Sequence, residues 1–213
     1  MKDEADISGG FATVGAGLWL ASSGQPAACR GAMRRRRRTG LFLRDRQALE
    51  LVETSGDAYF SSVERPFLTH IPCVAPVFAV SSKVLLAPGP AWDGAIALKP
   101  VPMGAGRALC VTRFKAAGEG AERSWVVAAT RSRTARFAAE EGETVSVRPE
   151  CIVAWIGARP TGSCRKIGVL DLILPRMPRD VLFDFHGPCT VWIEGAACRP
   201  SAFYGRRAAG RLV

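Results

Sequence analysis

Histidine is nearly missing from this chain, at two residues in 213, and that scarcity removes most metal enzymology at the outset. A catalytic metal needs several imidazole, thiolate or carboxylate ligands converging on one point. His70 and His186 each lack a second histidine at ligand spacing, so a site would have to recruit Glu194 or Asp184 through folding. Surface or hydrogen-bonding roles are the plainer reading of both. The seven cysteines stand at 29, 73, 110, 151, 164, 189 and 198, an odd count, widely spaced and without a Cys-x-x-Cys pair. That spacing argues against a disulfide framework and a zinc ribbon, and predicts small apolar thiols in a reducing, cytoplasmic compartment. A Gly-x-Ser-x-Gly nucleophile elbow is absent, and Gly104-Ala-Gly106-Arg107 lacks the third glycine of a dinucleotide fingerprint. No apolar run reaches the roughly 20 residues that cross a bilayer as a helix. Phe11 to Ala21 is broken by Gly15 and Gly17, and Asp3, Glu4 and Asp6 precede it where a secretory leader would be basic. Nor does any stretch hold a 3.6-residue apolar stripe for three turns.

What the chain does have is arginine. Twenty-nine basic residues against nineteen acidic ones give +10, and 24 of the 29 are arginine. Five stand together: Arg34, Arg35, Arg36, Arg37 and Arg38. Residues 1–40 are otherwise rich in Gly, Ala and Ser and read as a disordered or loosely attached basic arm. Residues 41–198 read as the folded, β-rich domain, and 199–213, with Arg199, Arg206, Arg207 and Arg211, as a basic C-terminal tail. A hydrophobic content of 48% with 23% charge is ordinary for a globular protein of this length.

The folded part is written in short strands. Val74–Val80, Lys83–Ala87, Ala95–Val101, Leu109–Lys115, Trp125–Thr130, Ala135–Ala138, Thr144–Val147, Cys151–Ile156, Ile167–Leu174, Val181–Phe185 and Val191–Glu194 are apolar pieces at intervals of about 8–14 residues, the rhythm of an all-β sandwich or barrel. Leu41 to Glu53 fits strands or a short helix. Cys151–Ile156 has no polar alternate positions, which predicts a central strand covered on both faces. In the stretch Arg179 to Gly195, two β-rich runs flank Gly187-Pro188. Val181, Phe183 and Phe185 share one face, Val191 and Ile193 another. Aligning those faces in a hairpin requires an odd connection or a bulge, so His186 to Thr190 is expected to form a five-residue loop.

Trp125 to Ala197 resembles the altered-inheritance-of-mitochondria protein 24 family, whose bacterial members belong to the TRAP-like superfamily. The resemblance rests on Gly142-Glu-Thr-Val-Ser-Val-Arg-Pro149-Glu-Cys-Ile-Val-Ala154-Trp155, on Ile167-Gly-Val-Leu-Asp-Leu-Ile-Leu174, and on Val181 to Gly195 with Gly187-Pro188 before Thr190-Val191-Trp192. Glu150 and Cys189 replace glycines of the family's turns. The resemblance implies a β-sandwich or double-stranded β-helix of the TRAP-like type, with two related halves, often oligomeric and without an agreed biochemical role. Its motifs are structural, so they carry architecture better than activity.

Three classes of function remain. Cys189 and His186 share one predicted turn, but a thiol nucleophile needs an imidazole within about 3 Å and a third group to orient it. Arg34, Arg35, Arg36, Arg37 and Arg38 can neutralise phosphates of nucleic acid or of an anionic membrane surface, without sequence preference. Trp125, Trp155 and Trp192 lie among apolar neighbours and read as core rather than as base-stacking platforms. The expectation is therefore a non-enzymatic scaffold or interaction module, homo-oligomeric and without a cofactor. An RNA- or DNA-binding protein using the Arg34–Arg38 arm is the alternative, and a metal- or thiol-dependent enzyme comes third.

Overall fold

The computed structural model describes residues 5–22, 27–37, 49–98, 108–116, 124–164, 181–195 and 204–207. The regular elements among them are strands, joined in places by single 3-10 turns. Strands β1 (Asp6–Ser8) and β2 (Phe11–Val14) lead in. Next come β3 (Gly17–Ser22), β4 (Ala27–Cys29), β5 (Met33–Arg37), β6 (Leu49–Thr54), β7 (Ala58–Phe60) and β8 (Phe67–Pro72). A second set follows: β9 (Val77–Val80), β10 (Val84–Pro88), β11 (Trp92–Leu98), β12 (Leu109–Phe114), β13 (Trp125–Thr130) and β14 (Thr134–Ala139). The third is β15 (Thr144–Val147), β16 (Ile152–Ile156), β17 (Thr161–Cys164), β18 (Val181–His186), β19 (Cys189–Glu194) and β20 (Tyr204–Arg207).

Among the described residues these strands form four antiparallel sheets. Sheet 1 has the order β1-β2-β7-β4, sheet 2 β5-β6-β3-β10-β13-β8, sheet 3 β11-β12-β9-β16-β19-β14 and sheet 4 β17-β18-β15-β20. The pairing repeats every six strands: β3 with β6, β9 with β12 and β15 with β18. The same recurrence links β4 with β7, β10 with β13 and β16 with β19. Three related units thus replace the two halves that the family resemblance implies.

The sheets stack as layers, and side-chain alternation shows why. Along β13, Trp125, Val127 and Ala129 enter the core between sheets 1 and 2, while Val126 and Ala128 enter the one between sheets 2 and 3. Along β9, Val77 and Ala79 face sheet 2, whereas Phe78 and Val80 face sheet 4. A strand sandwiched in this way has no wet face, so its text loses the polar alternation. Cys151–Ile156 behaves as its sequence predicts, with Ile152 to Trp155 fully buried in β16. Bulges at equivalent places, between Val84 and Leu86 in β10 and between Ile152 and Ala154 in β16, put two consecutive residues on one side.

Two expectations are corrected. Residues 1–40 are not simply an arm: β1 to β5 lie within them, and Ala12, Val14, Trp19, Leu20 and Ala21 are buried. Arg34, Arg35, Arg36 and Arg37, expected in that loose arm, are instead residues of β5, paired antiparallel with β6. Glycines that break the apolar run mark corners between short strands rather than a loose chain. At the other end, β20 pairs with β15 at the edge of sheet 4, so part of 199–213 belongs to the fold. The second correction concerns Gly187-Pro188. The linker is two residues long, with a cis Gly187-Pro188 bond, not a five-residue loop. β18 belongs to sheet 4 and β19 to sheet 3, so the strands face each other instead of pairing. Phe183 and Phe185 meet Cys189, Val191 and Ile193 across one core, and the parity rule of a hairpin does not apply. The expected strand Ile167–Leu174 lies outside the described residues.

Candidate functional site

The arginine run forms an edge strand. In β5, Arg34 stands opposite Glu53, Arg35 opposite Val52, Arg36 opposite Leu51 and Arg37 opposite Glu50 on β6. Arg35 Nη1 lies 3.9 Å from Glu50 Oε2. Arg34 and Arg35 are exposed, while Met33 packs against the core between sheets 1 and 2. A row of cations on an edge strand is a common defence against edge-to-edge aggregation, independent of any ligand. Arg38 lies outside the described residues.

The histidines are not brought together. His186 is exposed on the outer side of sheet 4, where its Nδ1 lies 3.0 Å from Thr144 Oγ1 and its Nε2 3.1 Å from Thr161 Oγ1. Both ring nitrogens therefore sit in a row across β17, β18 and β15. Next to it, the Ser146 hydroxyl donates to Asp184 Oδ1 at 2.5 Å. His70 belongs to β8 in sheet 2, its ring 5.8 Å from that of Trp125. Cys189 points the other way from His186, into the core between sheets 3 and 4, and burial raises its thiol pKa. A proton held more tightly makes a poorer nucleophile. No group of three histidine, cysteine or acidic side chains among the described residues is arranged to hold a metal ion. Cys29, Cys73 and Cys189 are unbridged thiols, as expected of most of the cysteines, and Cys151 is disulfide-bonded.

The tryptophans pack inside. Trp125 and Trp155 are 1% and 0% exposed. Trp19 stacks on Trp125 with centroids 5.9 Å apart, Phe78 stacks on Trp155 at 5.2 Å, and Phe185 meets Trp155 edge-on at 5.5 Å. Such pairs add about 0.5–1.5 kcal/mol each beyond their buried area. Trp192 is also buried, and the Arg136 guanidinium lies 5.7 Å from its ring centre.

The most concentrated charge in the described interior is not legible in the sequence. Lys83 ends the 3-10 turn before β10, and its Nζ lies 2.5 Å from Glu194 Oε1 at the end of β19. The same ammonium donates to the carbonyls of Glu150 and Ile152, each at 2.7 Å. Glu194 Oε2 accepts the Arg131 backbone N–H at 2.8 Å. Arg65 closes the group from outside by donating to the Ser82 carbonyl. Burial lowers the pKa of Lys83, opposed by its hydrogen bond and attraction to Glu194; burial likewise lowers that of Arg65. Three protons with three acceptors make Lys83 a clamp between sheets 2 and 3 rather than a base awaiting substrate. The textual hint is a charged residue at the head of an otherwise apolar run.

No protein-family profile matches the chain, and no curated protein proves similar to it. The fold is similar to the crystal structure of protein SPYM3_0169 from Streptococcus pyogenes, with a TM-score of 0.59 over 90% of this chain and 91% of that one. Identity between the two is 10%, so the likeness is one of fold alone. Among the described residues, no helix is long and apolar enough to cross a membrane.

Proposed function

We propose that this protein is a non-enzymatic scaffold or interaction module of the TRAP-like type, related to the altered-inheritance-of-mitochondria protein 24 family and acting as a homo-oligomer. The observation that carries the reading is the use made of its ionisable groups. Lys83 and Glu194 tie two sheets together, His186 bridges two threonines, and Cys189 lies in hydrocarbon. These are the groups from which a reaction centre would have been assembled, and each serves the architecture. Light scattering on the full chain tests it: a defined oligomer is expected, and a monomer at every concentration would overturn the homo-oligomer.

A second reading, polyanion binding through β5, is favoured by the exposure of Arg34 and Arg35 in a chain of net charge +10. Phosphate contacts release counterions, so affinity for RNA or DNA should fall steeply with salt. Replacing Arg34, Arg35, Arg36, Arg37 and Arg38 with serine should abolish that binding. Binding that survives the replacement excludes the arginine strand as the contact.

A further inference from the structure

A cavity opens at the end of sheet 2 where β3 and β13 finish and β10 begins, beside the segment that follows β7. Its floor is apolar, made by the buried Val84, Leu85 and Ala129. Its walls are polar: Ser22, Ser62, Ser82 and Lys83, with the half-buried Arg65 and the exposed Glu64 nearer to solvent. The enclosed space is about 10 Å³, room for a single water-sized group.

Ser62 gives the cavity its chemistry. The residue is 5% exposed, and its hydroxyl has no hydrogen-bond partner. Other buried hydroxyls here are paired, Ser81 with Thr112 at 2.9 Å and Thr130 with the carbonyls of Phe67 and Ser132. A buried hydroxyl left unpaired is costly, and a fold keeps one where a guest supplies the partner. The sign of that guest follows from the charges around it. Lys83 spends its three protons on Glu194 and two carbonyls, so it contributes a field rather than a bond. Arg65 carries five N–H groups in a planar fork, and among the described residues its hydrogen bond goes to the Ser82 carbonyl. Lys83 and Arg131 stand with Arg65 against Glu64 and Glu194, three positive charges to two negative. Glu64, the carboxylate on the lining, is exposed and screened by water.

We propose that this cavity binds a small oxyanion: one oxygen enters and accepts a hydrogen bond from the Ser62 hydroxyl, while the Arg65 guanidinium holds a second oxygen at the mouth. A guanidinium beside serine hydroxyls suits the oxygens of a phosphate group, and the enclosed space admits one of them. Free phosphate and the terminal phosphoryl group of a small ester share that chemistry. The arginines of β5 are not among the described residues that line the cavity.

Calorimetric titration of the full chain with inorganic phosphate at pH 7, with ionic strength held constant by sodium chloride, tests the proposal. Saturable binding of one phosphate per chain is expected, and the thermal midpoint should rise with phosphate concentration. Ser62→Ala should weaken that binding about tenfold or more. The same variant should leave the unliganded chain as stable as the parent, because its hydroxyl has no partner to lose. Arg65→Lys, which keeps the charge but not the fork, should weaken binding too. Replacing Arg34 and Arg35 with serine should leave it unchanged. Glycerol phosphate as a second probe separates the sources: binding equal to that of phosphate supports the site with a phosphoryl ester as guest, and phosphate binding alone supports it with the free anion. A chain that binds no phosphate overturns the proposal and leaves the cavity to water. Chloride competing equally with phosphate, or binding that Ser62→Ala leaves intact, overturns it as well. Binding lost with Arg34 and Arg35 instead assigns the phosphate to β5 and equally overturns it.

Discussion

Lys83 and Glu194 meet at 2.5 Å between the second and third sheets, both side chains less than a tenth exposed. Taking either charge out of water costs several kcal/mol, a cost that the opposite charge beside it helps to offset. Lys83→Met should therefore lower stability by about 3–5 kcal/mol in urea unfolding, because it leaves a buried carboxylate facing two carbonyls that lost their donor. Adding Glu194→Leu should recover much of that loss. A double variant no more stable than the single one would mean that the pair itself, not the buried carboxylate left behind, holds the sheets.

Cys73 gives stability an alkaline limit. The thiol is buried, and burial pushes its pKa from 9.0 up to about 12. Below pH 9 folded and unfolded chains both keep the proton, so Cys73 adds no slope. Between 9 and about 12 only the unfolded chain releases it, and stability falls as pH rises, by up to about 1.4 kcal/mol per unit. Cys73→Ala should flatten that part of the profile relative to the parent. An unchanged slope above pH 9 would assign the alkaline loss to other groups.

How much of this is readable depends on whether a residue's role is local. The strand Trp125–Thr130 and the doubly covered Cys151–Ile156 announce themselves, since a buried strand needs nothing but its own apolar text. The turn at Gly187-Pro188 is legible as a turn but not as a layer change: the same residues serve whether the flanking strands pair or face each other. The N-terminal unit is obscured because its strands are short and Gly15 and Gly17 sit between or within them, which in text resembles an unstructured arm. Arg34, Arg35, Arg36 and Arg37 deepen that impression, since a run of like charge reads as solvated chain until β6 lies beside it. The threefold recurrence is hidden too. Ser81-Ser82-Lys83 and Pro149-Glu150-Cys151 occupy equivalent turns with no residue in common. Lys83 and Glu194 lie far apart in sequence, and only the stacking of sheets brings them together.

Gly187 marks the layer change sterically. A Cβ there would run into the Glu140 carbonyl oxygen, and Gly187 N–H donates to Glu143 O at 2.9 Å, so the strand end cannot withdraw. Gly187→Ala should cost roughly 2 kcal/mol or more. At Gly15 a methyl group would meet nothing within 4 Å, and the φ there is not positive. Gly15→Ala should therefore be neutral or stabilise by a few tenths of a kcal/mol through the unfolded chain. Thermal unfolding of the two variants side by side checks the contrast. Equal effects would place the constraint in the unfolded state rather than at the corner.

The arginines of β5 let edge protection be separated from ligand binding. Arg34 and Arg35 are exposed, and register brings Glu53 and Glu50 of β6 opposite the strand, so its charge is partly balanced in the monomer. Replacing both arginines with valine removes little packing and raises strand propensity, so unfolding free energy should stay within about 0.5 kcal/mol of the parent. What should change is colloidal behaviour. An uncharged edge strand offers backbone donors and acceptors to another chain, and the variant should aggregate at concentrations where the parent stays dispersed. Added salt sharpens the test, because screening should drive the parent toward the variant's behaviour while changing the variant little. A variant as soluble as the parent, with polyanion affinity lost, would assign the strand to ligand binding rather than to defence of the sheet edge.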